Sequence, residues 1–162
     1  MIQIDPTARV SDRADLEPSV RGTRLVIGAR TVIDSFVKVK PAGGSGDVVI
    51  GEDCVVNSGC VFYSGNGITI GNAVSIAANC VLAPANHEYA DPDTLIQQQG
   101  FRASKGGIVI EDDVWIGAGA VILDGARIGR GAVIGAMTLV RGDVPAYAIA
   151  AGNPMTLRGS RT

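Results

Sequence analysis

A chain of 162 residues with 14 basic and 16 acidic side chains has a formal charge of −2, and no block of either sign suggests a nucleic-acid or anionic-membrane surface. The longest apolar runs, such as Ala146 to Ala151, are far too short to cross a bilayer, and no basic start is followed by an apolar stretch, so a single soluble, cytoplasmic domain is expected. The three cysteines, Cys54, Cys60 and Cys80, lack metal-binding spacing, and their odd number argues against a disulfide framework; no metal site is expected.

Taken in chain order, the sequence breaks into units of three aliphatic residues spaced six apart. These are Ile4, Val10 and Leu16, then Ile27, Ile33 and Val39, then Ile50, Val56 and Phe62, then Ile70, Ile76 and Leu82. After a long interruption come Ile110, Ile116 and Ile122, followed without a gap by Ile128, Ile134 and Val140. A helix repeats every three to four residues and a strand every two, so a period of six predicts a chain that turns a corner every six residues. Three units close one triangular coil. The aliphatic residues point inward and stack on their equivalents roughly 4.8 Å away, so that each coil is stable only against its neighbours. A small residue such as Cys54, Cys60, Cys80, Ala120 or Ala132 follows four positions later, near the corner, which makes the cysteines packing residues rather than nucleophiles.

The interruptions follow one rule. Five extra residues come after Leu16, five after Val39, two after Phe62 and twenty-two after Leu82, each after a third unit, so all fall at one corner. The expected architecture is an all-β triangular prism of about six coils over residues 1–145. One loop protrudes at about 84–107, and a tail over 146–162 packs on the last coils.

The run "IEDDVWIGAGAVILDGARIGRGAVIGAMTLV", followed by "AGNP", resembles the hexapeptide-repeat acyltransferases, in particular the galactoside, maltose and surface-polysaccharide O-acetyltransferases. The resemblance implies a left-handed parallel β-helix, acetyl-CoA as the acyl donor, a saccharide acceptor, and a homotrimer with active sites between subunits.

His87 is the only histidine, at the root of the only long insertion, and a loop of this length in a compact repeat is usually functional. A neutral imidazole can take the proton from a hydroxyl as it attacks a thioester. The resemblance gives His87 the role of general base and makes Asn57 a partner that hydrogen-bonds the acceptor; from spacing alone, Asn57 is equally a residue capping a turn. Asn86 and Glu88 are candidates for orienting the imidazole or binding substrate. Trp115, the lone tryptophan, either lines the cleft or fills an apolar patch between subunits. For the donor, Gly117, Ala118, Gly135 and Ala136 offer close approach to an extended pantetheine arm, while Arg141 and Arg158 are candidates for its phosphates. The chain departs from the family here, reading Arg141-Gly142-Asp143-Val144-Pro145 where many relatives place a lysine.

The leading expectation is acetyl-CoA-dependent O-acetylation of a sugar hydroxyl by direct attack. An antibiotic hydroxyl or a sugar amine is the alternative acceptor, and a non-catalytic scaffold is a further one. The zinc-dependent carbonic anhydrases that share this coil need three histidines, and this chain has one.

Overall fold

The computed structural model describes residues 1–161. Twenty short strands form three parallel walls, and their register matches the sixfold period as far as Val140. The first wall contains Ile2–Ile4, Leu25–Ile27, Val48–Ile50, Ile68–Ile70, Ile108–Ile110, Arg127–Ile128 and Asp143–Val144. The second contains Arg9–Val10, Val32–Ile33, Val55–Val56, Ser75–Ile76, Trp115–Ile116, Val133–Ile134 and Ala148–Ala151. The third contains Asp15–Leu16, Lys38–Lys40, Val61–Tyr63, Val81–Ala83, Val121–Leu123 and Leu139–Val140. Six complete coils and two strands of a seventh make a left-handed parallel β-helix.

The register explains the stability. In the first wall Ile4, Ile27, Ile50, Ile70, Ile110, Ile128 and Val144 lie one above another, and in the third wall Val39, Phe62 and Leu82 do the same. From the second coil upward these side chains are almost wholly buried, whereas Ile4 in the first coil, with no coil beneath it, keeps 43% of its surface exposed. Each thiol donates into the next coil: Cys54 to the Gly71 carbonyl at 3.1 Å, Cys60 to Ala77 at 3.1 Å and Cys80 to Gly117 at 3.2 Å. The hydrogen bond with Cys80, together with burial, pushes the Cys60 thiol far above its ordinary range. The cysteines are packing residues, as expected.

From the second coil upward, each corner on either side of the second wall carries one left-handed residue. Between the first and second walls this residue is Arg30, Asp53, Ala73, Asp113, Gly131 or Tyr147, all with φ between 55° and 67°. At the last of these corners the Tyr147 ring leans over the glycine one coil below, 2.5 Å from where a Cβ on Gly131 would sit.

Every insertion emerges at the corner between the third and first walls, hereafter the loop corner, and the long loop fills the gap between Ala83 and Ile108, as expected. The coil extends further than the sequence pattern suggested. Val140 to Val144 is a shortened corner that drops out of the strict period, and Ala148–Ala151 then pairs in parallel with Val133–Ile134. The boundary between prism and tail therefore falls at residue 151 rather than 145. Thr156–Ser160 folds back antiparallel on Ala148–Ala151 and covers the free edge of the second wall.

Candidate active site

His87 enters the loop corner three residues after Pro84 and is held by a small two-stranded clasp. Glu88 N–H donates to the Gly100 carbonyl at 2.9 Å, and Arg102 N–H donates to the Asn86 carbonyl at 2.8 Å. These bonds seat the imidazole against Phe101, with ring centroids 4.7 Å apart and a tilt of 35°. Beyond the clasp the loop stabilises itself: Asp91 accepts from Asp93 N–H and the Thr94 hydroxyl, and the Gln99 amide donates to the Asp91 and Thr94 carbonyls.

The imidazole faces a cleft of about 410 Å³ lined by Asn86, Tyr89, Arg102, Lys105, Asp124 and Arg141, among others. The returning limb of the loop is fixed by Asp124, a buried carboxylate only 7% exposed. It accepts Lys105 N–H at 2.8 Å, Gly107 N–H at 2.9 Å and the Asn66 amide at 3.1 Å, thereby tying three chain segments together. Asp124, Arg102, Lys105 and Tyr89 were not candidates on sequence grounds. Only the Asp124-Gly125 pair, a turn signal directly after a strand, pointed to anything there.

The structure divides the sequence candidates among four places. His87, Asn86 and Arg141 share the loop corner and line the cleft. Glu88 lies beside them, but its carboxylate is used within the loop: it accepts Tyr89 N–H at 2.8 Å and Ala90 N–H at 3.1 Å, bonds that hold it below the usual carboxylate range.

Asn57, Gly117, Ala118, Gly135 and Ala136 occupy the corner between the second and third walls. The third wall, roughly 10 Å across for three residues, separates them from His87. One chain does not bring Asn57 to His87. Asn57 donates its Nδ2 to the Ile76 carbonyl at 2.8 Å, which leaves Oδ1 without a protein donor among the described residues. The glycines at this corner have a packing reason of their own, because a Cβ on Gly117 would lie 2.5 Å from the Ala136 nitrogen in the next coil. Ala118 and Ala136 are exposed, and Met137 projects beside them, 75% exposed.

Trp115 stands on the outer face of the second wall, 55% exposed, while its neighbour Ile116 points into the core. Arg158 lies on the exposed tail strand. Arg161 is committed to Asp113 at 2.9 Å and the Gly131 carbonyl at 3.0 Å. Among the described residues no group of three or more His, Cys, Asp or Glu side chains is arranged to hold a metal.

Comparison with known proteins agrees with the repeat. Residues 107–142 match the family model described as bacterial transferase hexapeptide (six repeats), so the resemblance carried by the motifs holds. A 47-residue stretch is 57% identical to a 2,3,4,5-tetrahydropyridine-2,6-dicarboxylate N-acetyltransferase of Staphylococcus aureus, covering 29% of this chain and 20% of that protein. Among solved structures, AntD, an N-acyltransferase from Bacillus cereus in complex with dTDP and 3-hydroxybutyryl-CoA, superposes with a TM-score of 0.81 at 21% identity, over 99% of this chain and 83% of that one. A maltose O-acetyltransferase from Clostridium difficile 630 gives a TM-score of 0.72 at 29% identity, over 86% of this chain and 69% of the other.

Proposed function

We propose that this chain, which carries the hexapeptide repeat of bacterial transferases on a left-handed β-helix, moves an acetyl group from acetyl-CoA to a hydroxyl of a saccharide. The observation that carries the reading is the position of His87: the sole imidazole of the chain lines a cleft large enough for a sugar, at the root of the one long loop.

The geometry suits a shared site. His87 and Arg141 lie on the loop corner, whereas Asn57, Ala118 and Ala136 lie on the next corner round the prism. A homotrimer that sets one subunit's loop corner against the neighbour's other corner unites them in a single groove. The exposed Ala118 and Ala136 offer an extended pantetheine arm a close approach to the backbone of this corner, and Arg141 stands across the groove. The bound thioester supplies an activated acyl group. His87 takes the proton from the acceptor hydroxyl as it attacks the thioester carbon, Asn57 Oδ1 receives a second acceptor hydroxyl, and a backbone N–H of the groove steadies the oxyanion; the C–S bond then breaks and the imidazolium returns the proton to the departing CoA thiolate.

A sugar amine is the second reading, favoured by the two N-acyl transferases among the similar proteins. The same imidazole serves it by receiving the proton lost from the nitrogen. The test is CoA release from acetyl-CoA across a panel of sugars and amino sugars. Acceptor-dependent release is expected, falling by about 10²- to 10⁴-fold in His87→Ala with the oligomer intact. Undiminished release in that variant would refute the base assignment, and the identity of the best acceptor separates O- from N-transfer.

A further inference from the structure

Five of the fourteen basic side chains are paired with a carboxylate at close range among the described residues. Arg24, Arg30, Lys38, Arg130 and Arg161 all meet a carboxylate at 2.6 to 2.9 Å. Arg127, just below the loop, is spent on the carbonyls of Gly106, Gly107 and Ala126, each at 3.0 Å.

The cleft beside His87 gathers three cations that are not paired at such close range. Lys105 and Arg141 line it with no carboxylate partner among the described residues. Arg102 reaches Glu88 only at 3.4 Å, and its guanidinium lies 4.1 Å over the Tyr89 ring, which fixes its plane. The one carboxylate in the lining, Asp124, is turned to Lys105 N–H, Gly107 N–H and the Asn66 amide rather than to any of the three cationic groups, so that with Glu88 beside Arg102 two negative charges stand against three positive ones. Beside them, Gly142 leaves open space, with nothing within 4 Å of where a Cβ would sit.

Three cations converging from two segments on a space of about 410 Å³ exceed what one carboxylate can use. A phosphoryl group, with close to two negative charges and three acceptor oxygens, matches them. We infer that Arg102, Lys105 and Arg141 form an anion subsite that holds a phosphate-bearing part of a ligand next to His87. Two ligands have this chemistry: a phosphorylated or nucleotide-linked acceptor, and the diphosphate of the CoA donor. The role of the subsite in turnover rests on the acyl-transfer reading above, whereas its capacity to bind an anion does not.

Calorimetric titration with inorganic pyrophosphate tests it directly, using the full chain. Wild type is expected to bind with an affinity that weakens as salt is added, and Lys105→Gln and Arg102→Gln each to bind about tenfold more weakly, the worth of one charge-assisted contact. Arg21→Gln, which removes an exposed cation far from the cleft, is expected to change nothing. All three positions are exposed, and an unchanged thermal transition verifies the fold. No binding by wild type, or equal weakening by Arg21→Gln, overturns the subsite.

Repeating the titration at saturating acetyl-CoA identifies the source of the phosphate. Independent binding assigns the subsite to the acceptor, and mutual exclusion assigns it to the donor. If the variants lose pyrophosphate while wild type cleaves no thioester with any acceptor, the subsite stands and acyl transfer falls. If the variants bind as wild type does while CoA release depends on His87, acyl transfer stands and the subsite falls.

Discussion

Asp124→Ala should detach the loop from the prism while sparing the coils. The substitution removes the acceptor for three donors at once: Lys105 N–H, Gly107 N–H and Asn66 Nδ2. A hydrogen bond to a charged group contributes about 1.5 to 3 kcal/mol. Gly107 is buried and loses this in full, whereas the exposed Lys105 amide and the half-buried Asn66 side chain regain part of it from water. The sum is about 3 to 5 kcal/mol, and it falls on the returning limb of the loop, because no core side chain is touched.

Amide hydrogen exchange reads this directly. Protection at Lys105 and Gly107 should drop by about two to three and a half orders of magnitude, since about 1.4 kcal/mol is tenfold, while the coil amides of Gly117 and Gly135 retain theirs. Asp124→Asn, which keeps one accepting oxygen, should show about half the effect in kcal/mol. CoA release should fall in step with loop opening. Unchanged exchange at Lys105 and Gly107, or a uniform loss of protection over all coils, would refute the assignment of Asp124 as the local tether.

Three other outcomes follow from the fold. Phe62→Ala removes the only aromatic ring stacked in the core, fully buried between Val39 and Leu82; a loss of about 3 to 5 kcal/mol is expected in urea unfolding, and a loss below about 1 kcal/mol would mean the coils collapse around the gap. Gly131→Ala combines a φ of 67° with a Cβ 2.5 Å from the Tyr147 ring, so destabilisation of about 1 to 3 kcal/mol should appear as a lower Tm, partly relieved by adding Tyr147→Ala. Asp34, Asp47, Asp53 and Asp91 are held below the usual carboxylate range, chiefly by the Ser58 hydroxyl, Arg24 N–H, the Arg30 guanidinium and the Thr94 hydroxyl. A folded value below the unfolded one adds stability above about pH 4 that is lost as the pH falls through the folded values; Tm should therefore decline below about pH 4, and a rise there would contradict the pairing.

The sixfold spacing determined the walls, the stacking partners and the corner from which every loop leaves. Ile27 meets Ile50 and Leu82 meets Ile122 as counted, because one missed register would turn a whole aliphatic column toward water. The same counting placed the cysteines near the corners and His87 at the root of the loop. It could not carry the register past Val140, where the corner shortens by two residues and the coil continues to Ala151.

Tertiary structure alone decided what surrounds the imidazole. Asp124 is bonded to residues 17 to 58 positions away, Arg102 is stacked on Tyr89 across the loop, and Glu88 is turned inward to its own backbone. A local repeat fixes the angle of each residue about the axis of the prism. It says nothing about how a 24-residue excursion between Ala83 and Ile108 returns to that axis, since that path is chosen by long-range hydrogen bonds, and these leave no period in the sequence.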